Sequence, residues 1–306
     1  MSTVIGLDVG GTNTSGGLGT PEGKLIAKRK RRTDRAGGGP AGLRLIGEIL
    51  AELIEEAGGA VNVQRIGVGF GGPVDAGNGV VVLSHHVPGW ENVPLREELE
   101  RRFLIPVSVD NDANAGTLGE WKFGAGRGCD DLLYVNIGTG IGGGIISGGR
   151  LLRGARNLAG EIGHTTVVRD GAPCTCGRGG CVESCASGDA IARRGCEALG
   201  RTVTGRDVFD LAAGGDPAAR RVLEAVVEDL AHGIGTAVTL LNPALVIIGG
   251  GLSEAPAPLF LNPLKEALPR YCLDQSAVGL RVEPAQLRYE AGLMGAIALA
   301  LTAVDG

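Results

Sequence analysis

The stretch Thr3-Val4-Ile5-Gly6-Leu7-Asp8-Val9-Gly10-Gly11-Thr12 reads as a buried strand that runs into a glycine turn, and residues 14–19 continue as a second strand. The same order returns later in the chain, where residues 131–137 form a predicted strand, 138–144 a glycine loop, and Ile145-Ile146 a short β-branched segment before a Ser-Gly-Gly turn. Two halves that open alike predict a duplicated α/β unit with a cleft between the copies.

A basic run lies in the third predicted strand, residues 24–33, as Lys28-Arg29-Lys30-Arg31-Arg32. Cations at successive positions of a strand charge both of its faces, which only an edge strand tolerates. A nucleic-acid patch is the alternative interpretation, but one short basic run in an acidic chain favours a solvated edge. Further strands are predicted at 65–70, 104–109 and 244–248, and helices at 41–57, 217–241 and 292–302.

Composition favours small-molecule chemistry. A chain of 306 residues is too long for one small core and predicts two domains. Its net charge of −5 provides no general attraction to nucleic acid or membranes, so we expect neither as a partner. The N-terminus lacks the pattern of a signal peptide, no apolar run is long enough to span a bilayer, and the odd cysteine count does not fit a disulfide framework. We therefore expect a soluble cytoplasmic protein.

A glycine-rich segment has the ligand spacing of a metal site, H-x9-C-x-C-x4-C, formed by His164, Cys174, Cys176 and Cys181. One imidazole and three thiolates complete a tetrahedral Zn²⁺ site with no open position, which indicates a structural metal. The alternative, that cysteines are small buried apolar residues, fits the other four cysteines. Glu161 and Glu183 flank the segment and are candidates for the chemistry that the metal holds in place.

Three glycine turns each follow a predicted strand, at Gly10-Gly11-Thr12, Gly138-Thr139-Gly140 and Gly249-Gly250-Gly251. Successive backbone N–H groups of such turns can surround an anion, and a threonine hydroxyl adds a donor. The chain has no P-loop motif. Residues 138–143 formally match a dinucleotide fingerprint, but that motif must open a helix, whereas a strand and a turn follow here.

Asp112 is the candidate general base. It lies between the strand at 104–109 and a predicted helix, where ligands of open α/β sheets collect. A carboxylate there can accept the proton of a hydroxyl that attacks phosphorus, and phosphoryl transfer needs little else beyond positioning, Mg²⁺ and charge stabilisation. The alternative is that Asp112 only caps the helix.

At these residues the chain resembles the ROK family of repressors and sugar kinases, and within it the bacterial glucokinases. The resemblance spans almost the whole length, and its most specific part is the zinc segment with Glu161-Ile162-Gly163-His164. The other matching pieces are Asp8-Val9-Gly10-Gly11-Thr12, Gly72-Pro73-Val74-Asp75, residues 89–95, Asn111-Asp112-Ala113-Asn114-Ala115, residues 138–144, Ala186-Ser187-Gly188 and Gly249-Gly250-Gly251.

The resemblance implies a duplicated actin-like, ribonuclease-H-like fold, with a small domain at 1–118, a larger one at 119–290 and a final helix at 291–306 that returns to the first. It also implies ATP-dependent phosphorylation of a hexose at its 6-hydroxyl, most simply glucose, by a homodimer or homotetramer. Kinases for N-acetylmannosamine, N-acetylglucosamine and other hexoses share the pattern. A non-catalytic sugar-binding regulator is the competing class, but the chain begins at the first strand without a helix-turn-helix.

By the same resemblance Asp112 is the base, and Asn111, Glu161, His164 and Glu183 hold sugar hydroxyls, His164 while also binding zinc. Thr12 and Thr139 meet the phosphates of ATP, Asp8 holds Mg²⁺ through water, and Gly249 to Gly251 meet the adenosine. One departure affects sugar preference: His85-His86-Val87 stands where similar glucokinases carry Pro-Asn-Leu.

Overall fold

The computed structural model describes residues 3–84 and 87–302, so the departure at His85 and His86 lies outside the described residues. The chain folds as α/β. The strands are β1 (Thr3–Val9), β2 (Asn13–Gly19), β3 (Leu25–Arg32), β4 (Val63–Phe70), β5 (Val74–Asp75), β6 (Val80–Val81), β7 (Val107–Asn111), β8 (Leu132–Ile137), β9 (Ile141–Ser147), β10 (Arg150–Leu151), β11 (Leu245–Gly249) and β12 (Arg281–Pro284).

The α-helices are α1 (Gly38–Glu56), α2 (Leu95–Phe103), α3 (Asp112–Phe123), α4 (Val182–Ala186), α5 (Gly188–Leu199), α6 (Gly205–Ala213), α7 (Pro217–Leu241), α8 (Leu261–Ala267), α9 (Asp274–Ala277) and α10 (Ala291–Leu301). Short 3-10 helices lie at Ala60–Asn62, Ile162–His164, Gly251–Glu254, Ala257–Leu259, Leu268–Tyr271 and Arg288–Glu290. Within the described ranges, no helix is both long enough and apolar enough to cross a bilayer.

The chain forms two compact units. The first contains residues 1–128, 153–159 and 289–306, and the second contains 129–152 and 160–288. The domain boundary at residue 118 stays a prediction. Helix α3 runs through that residue to Phe123 and packs along α10, so residues 119–123 are grouped with the first unit.

The first unit is built on a five-stranded sheet of order β3-β2-β1-β4-β7. Strands β1, β4 and β7 are parallel, and β2 and β3 are antiparallel additions. Glycine allows α10 to pack closely on this sheet, because a Cβ at Gly67 would clash with the carbonyl oxygen of Ala296. One large apolar cluster, including Ile46, Leu50 and Val68, is buried between the sheet and its helices.

The second unit repeats this topology with the order β10-β9-β8-β11-β12 and the same pattern of antiparallel and parallel pairs. The predicted duplication of an α/β unit is thereby confirmed. The predicted loop at 138–144 was too long, since β9 begins at Ile141 and Gly142, Gly143 and Gly144 pair with residues 134–136 of β8. Gly143 lies so close to the Gly160 carbonyl that a Cβ would be 2.7 Å away, so glycine marks close packing there and not a turn.

Strand β3 is an edge strand, as predicted, and its cations divide between the two faces of the sheet. Arg29 and Arg31 pair with glutamates of α1, including Glu52, which both contact. Lys28 and Lys30 project to the opposite face, because successive side chains of a strand alternate. Within the basic run, Arg29 and Arg31 therefore contact α1, whereas Lys28 and Lys30 line a cavity on the other face.

Candidate active site

Asp112 lies at the junction of β7 and α3, where the parallel strand ends. The helix cap is Asn111, whose side-chain oxygen accepts hydrogen bonds from the backbone N–H groups of Ala113 at 2.8 Å and Asn114 at 3.4 Å. The capping alternative for Asp112 is therefore wrong. Asp112 is the first helical residue and is exposed, and its Oδ1 accepts a bond from the N–H of Ala113 at 2.9 Å.

The amide of Asn111, a predicted sugar ligand, also contacts the chain after β4. Its Nδ2 donates to the carbonyl of Gly72 at 3.1 Å. A Cβ at the neighbouring Gly71 would lie 3.7 Å from Oδ2 of Asp112, so the Asp112 carboxylate is beside the carboxyl end of β4. The ends of two adjacent parallel strands thus frame the predicted base, which is where such sheets bind ligands.

Two carbonyl groups of the first glycine turn, Gly10-Gly11-Thr12, accept side-chain hydrogen bonds from residues just after β3. Thr33 Oγ1 donates to the Gly10 carbonyl at 2.7 Å, and Arg35 Nε donates to the Gly11 carbonyl at 2.6 Å. In a trans peptide the next N–H points away from the carbonyl, so the N–H groups of Gly11 and Thr12 point away from these two donors. This arrangement suits an anion. Arg35, whose Nη2 is 3.1 Å from Thr12 Oγ1, was missed from the sequence.

Asp8 lines a cavity of about 340 Å³ together with residues that include Gly10, Thr12, Lys28 and Lys30. Burial raises the pKa of Asp8 to about 6, and the nearby Lys30 and Lys28 partly oppose that rise. A hard divalent cation prefers carboxylate oxygens, so the residues here fit Mg²⁺. The sequence analysis did not identify either lysine as a site residue. Alternation along β3 puts both on the same face of the sheet, and β3 is separated from β1, which carries Asp8, only by β2.

The second glycine turn, Gly138-Thr139-Gly140, lies between β8 and β9 in the second unit. The Gly138 N–H donates to the Gly140 carbonyl at 2.9 Å, and the N–H of Gly188, the first residue of α5, donates to the Gly138 carbonyl at 2.8 Å. Thr139 is exposed at the tip. The turn is therefore closed on itself and tied to the start of a helix, whose positive dipole end would favour an anion bound there.

Glu183, on α4, contacts this turn directly. Its Oε2 accepts the N–H of Ile141 at 2.9 Å, and its other oxygen lies 3.4 Å from the hydroxyl of Thr175 in the cysteine-rich loop. A Cβ at Gly140 would be 2.5 Å from Oε2 of Glu183. Glu183 thus links the cysteine-rich loop to the glycine turn, a connection that the sequence did not reveal.

The third turn, Gly249-Gly250-Gly251, begins at the last residue of β11. Gly250 adopts φ of +76°, and a Cβ there would clash with the carbonyl oxygen of Ile137. Ser253 Oγ donates to the Gly250 carbonyl at 2.7 Å and closes the turn. A Cβ at Gly251 would meet no atom of the described residues within 4 Å, so the surface at this glycine is open to a ligand.

The four predicted metal ligands come together in the second unit. Their ligand atoms all lie within 4.8 Å of one another. The Cys176 and Cys181 sulfurs are 3.6 Å apart, and so are His164 Nδ1 and the Cys174 sulfur. Sulfur ligands at about 2.3 Å from a tetrahedral Zn²⁺ are separated by roughly 3.7 Å, so the donor set and its spacing fit zinc.

The thiols of this cluster need a compensating cation to ionise together. Burial raises the pKa of Cys181 to about 12, with the thiols of Cys176 and Cys174 adding to the rise. A hydrogen bond from the backbone of Arg178 lowers the pKa of Cys176. Zn²⁺ deprotonates coordinating thiols and would remove the conflict between these neighbours.

His164 directs its two ring nitrogens to different neighbours. Nδ1 faces the cysteine sulfur, while Nε2 lies 3.9 Å from Oε2 of Glu161, which is exposed. Glu161 immediately precedes the 3-10 helix Ile162–His164, and His164 is its last residue. A histidine that binds metal through one nitrogen can present the other to a ligand in a fixed orientation.

The structure thus places the predicted residues in two groups. Asp8, the turn at 10–12, Asn111 and Asp112 are in the first unit, and all the others are in the second.

Comparison with known proteins identifies relatives along the whole chain. The ROK family model matches residues 4–303. Glucokinase of Thermotoga maritima is 36% identical, over 99% of this chain and 98% of that protein. A ROK hexokinase of Thermus thermophilus superposes with a TM-score of 0.88 at 36% identity, covering 97% of both chains. A ROK glucokinase of Streptomyces griseus, solved with glucose and AMPPNP, superposes with a TM-score of 0.79 at 33% identity, over 98% of this chain and 99% of that one.

Proposed function

The chain belongs to the ROK family, and on that premise we propose that it is an ATP-dependent hexokinase of the glucokinase type, with Asp112 as the general base. It has the actin-like ATPase fold of the ROK sugar kinases. The observation that carries the assignment of the base is local. Asn111 caps α3, so the exposed carboxylate of Asp112 at the end of β7 is not required for that role.

In the proposed reaction, the 6-hydroxyl oxygen of the hexose attacks the γ-phosphorus of ATP. A new O–P bond forms, the bond from the γ-phosphorus to the β,γ-bridging oxygen breaks, and ADP leaves with that oxygen. The Asp112 carboxylate accepts the proton that the hydroxyl loses. Such proton transfer contributes about 10²–10⁴-fold to rate, and positioning and charge stabilisation supply the remainder.

The two glycine turns at 10–12 and 138–140 are proposed to bind the phosphates of ATP through backbone N–H groups and the hydroxyls of Thr12 and Thr139. Gly249 to Gly251 are proposed to meet the adenosine. Asp8 would hold Mg²⁺ through water, and the cation would supply charge neutralisation for the triphosphate. The partly buried carboxylate of Asp8 and its raised pKa support this role, because a metal ion would stabilise the ionised form.

The sugar hydroxyls are proposed to be held by Glu161, His164, Glu183 and Asn111. His164 would donate or accept through Nε2 while Nδ1 remains on the structural zinc with Cys174, Cys176 and Cys181. That zinc would fix the loop and take no part in the chemistry, since four protein ligands leave no position for water. Glucose is the proposed substrate in preference to N-acetylated hexoses. We also propose that the protein is cytoplasmic and forms a homo-oligomer.

A coupled assay that follows ADP release over a panel of hexoses tests this function. With Mg-ATP we expect turnover on glucose that exceeds turnover on N-acetylmannosamine and N-acetylglucosamine. Asp112→Asn should lower kcat by about 10²–10⁴-fold with an unchanged Tm. Asp274→Asn is a matched control, because Asp274 is also an exposed carboxylate in the first turn of a helix, and it should retain full activity. Normal turnover in the Asp112 variant would remove Asp112 from this role, and no turnover on any hexose would favour a sugar-binding regulator.

A further inference from the structure

A buried carboxylate next to the proposed base has an unusually complete set of donors. Asp110 is the penultimate residue of β7 and is 0% exposed. Its Oδ1 accepts bonds from the N–H of Asn111 at 2.8 Å, from Asn114 Nδ2 at 2.9 Å and from Asn157 Nδ2 at 3.3 Å. Its Oδ2 accepts a bond from Arg153 Nε at 2.8 Å. The charge is therefore paired and hydrogen-bonded, as a buried carboxylate requires.

The partners Arg153 and Asn157 belong to the short segment 153–159, which is grouped with the first unit although its flanking residues belong to the second. The Ala159 N–H donates to the Arg153 carbonyl at 3.0 Å and closes the segment into a loop. Asn157 adopts φ of +59° and also donates to the Val74 carbonyl at 2.8 Å. A left-handed residue in a closed loop with two side-chain anchors indicates a segment built to hold a fixed position.

This cluster is a poor source of stability. Arg153 Nη2 and Asn157 Oδ1 are buried without a hydrogen-bond partner among the residues that the structure describes, and such atoms are unfavourable in a folded protein. A buried ion pair, moreover, is often no more stabilising than apolar side chains of the same volume. The arrangement therefore needs a reason other than the free energy of folding.

That reason lies in what Asp110 holds. Its Oδ1 accepts hydrogen bonds from the N–H of Asn111 and from the side chain of Asn114. These two residues lie before and after Asp112 at the start of α3. Fixing both sides of a helical turn fixes the backbone between them, and with it the direction in which the Cα–Cβ bond of Asp112 points. Arg153 in turn fixes the Asp110 carboxylate from the other oxygen.

We propose that Arg153, acting through Asp110, is a positioning residue that orients Asp112 for proton abstraction. The inference rests on the proposed hexokinase function. Arg153 is suited to this role because its planar guanidinium directs hydrogen bonds along fixed directions, which the flexible ammonium of lysine does not.

Steady-state kinetics and thermal unfolding of three variants test the proposal. Arg153→Met should lower kcat by about 10–100-fold, with the KM values for glucose and ATP changed by less than about threefold, because misplacing a catalytic group affects the chemical step. Arg153→Lys should recover part of that loss. Because Arg153→Met leaves the Asp110 charge unpaired and can impair folding, the double variant Asp110→Asn/Arg153→Met is essential. It removes both charges, so its Tm should recover while its kcat stays low.

The matched control is Arg194→Met. Arg194 pairs with Asp229 in the second unit, is 22% exposed against 23% for Arg153, and also has a buried guanidinium nitrogen without a partner in the described part of the chain. It should lose Tm and keep kcat. The proposal would be overturned if kcat fell and recovered together with Tm across Arg153→Met, Arg153→Lys and the double variant. Wild-type kinetics in both Arg153→Met and the double variant would also overturn it.

Amide hydrogen exchange separates this proposal from the hexokinase function. The double variant should exchange the amides of residues 111–114 at least about tenfold faster than the wild type, since local opening sets that rate. If these amides exchange faster in the double variant but the wild-type protein has no hexose kinase activity, the proposed function is refuted. The contact of Arg153 and Asp110 with the turn at residues 111–114 would still stand. Unchanged exchange together with unchanged kcat in an active enzyme would refute the positioning role alone.

Discussion

Replacing Asp8 with asparagine should make the protein more stable at neutral pH while removing activity. Burial raises the pKa of this carboxyl from its ordinary 3.8 to about 6. Between these values the folded state binds more protons than the unfolded state, so the free energy of unfolding falls as pH rises from about 3.8 to about 6. Above pH 6 the penalty is complete, and at 1.36 kcal/mol for each pH unit it amounts to roughly 3 kcal/mol as an upper value.

Asp8→Asn removes that penalty because a neutral amide is less costly to bury than a carboxylate. In Mg²⁺-free buffer at pH 7.5 the variant should unfold at a Tm higher than the wild type by up to roughly 5–10 °C. The difference should nearly vanish at pH 4. Added Mg-ATP should raise the Tm of the wild type more than that of the variant, and turnover should be lost, as expected for a site that trades stability for function.

An opposite sign is expected at Asp207, whose pKa is lowered by hydrogen bonds from the backbone and side chain of Thr204 at the start of α6. The stability from that contact is present at neutral pH and is lost as pH falls through the lowered pKa. Asp207→Asn should therefore destabilise the protein at pH 7.5 and have little effect in acid. An Asp8→Asn variant that is no more stable than the wild type at pH 7.5, or equally stabilised at pH 4 and 7.5, would refute the reasoning.

Two further predictions concern the second unit. Gly140→Ala should raise the KM for ATP and destabilise the protein by about 1–3 kcal/mol, because the new Cβ would lie 2.5 Å from Glu183 Oε2. The control is Gly214→Ala, where the nearest atom to the new Cβ is 3.4 Å away. Steady-state kinetics and thermal unfolding should find the KM and the stability of this control unchanged. Elemental analysis of the purified protein should find one zinc per chain, and Cys176→Ser should lower that content and the Tm together; full zinc content in the variant would exclude Cys176 as a ligand.

The sequence predicted much of the fold because its signals are local. Short apolar runs that end in glycine turns predicted the strand, turn and strand at the start of each half, and the sheets confirmed the duplication. The helix predicted at 217–241 is observed as Pro217–Leu241. The ligand spacing of His164 with three cysteines predicted a cluster that the structure brings within 4.8 Å. All of these features depend on neighbours within a few residues or on a fixed spacing.

By itself, then, the sequence determined the repeated α/β unit, the glycine turns and the grouping of His164 with three cysteines. Only the tertiary structure decided that Asn111 and not Asp112 caps α3, that Lys28 and Lys30 face Asp8 while Arg29 and Arg31 face α1, and that Arg153 reaches Asp110. The physical reason is distance along the chain. Arg153 and Asp110 are 43 positions apart, and no local pattern encodes which distant donor will satisfy a carboxylate once packing has removed it from water.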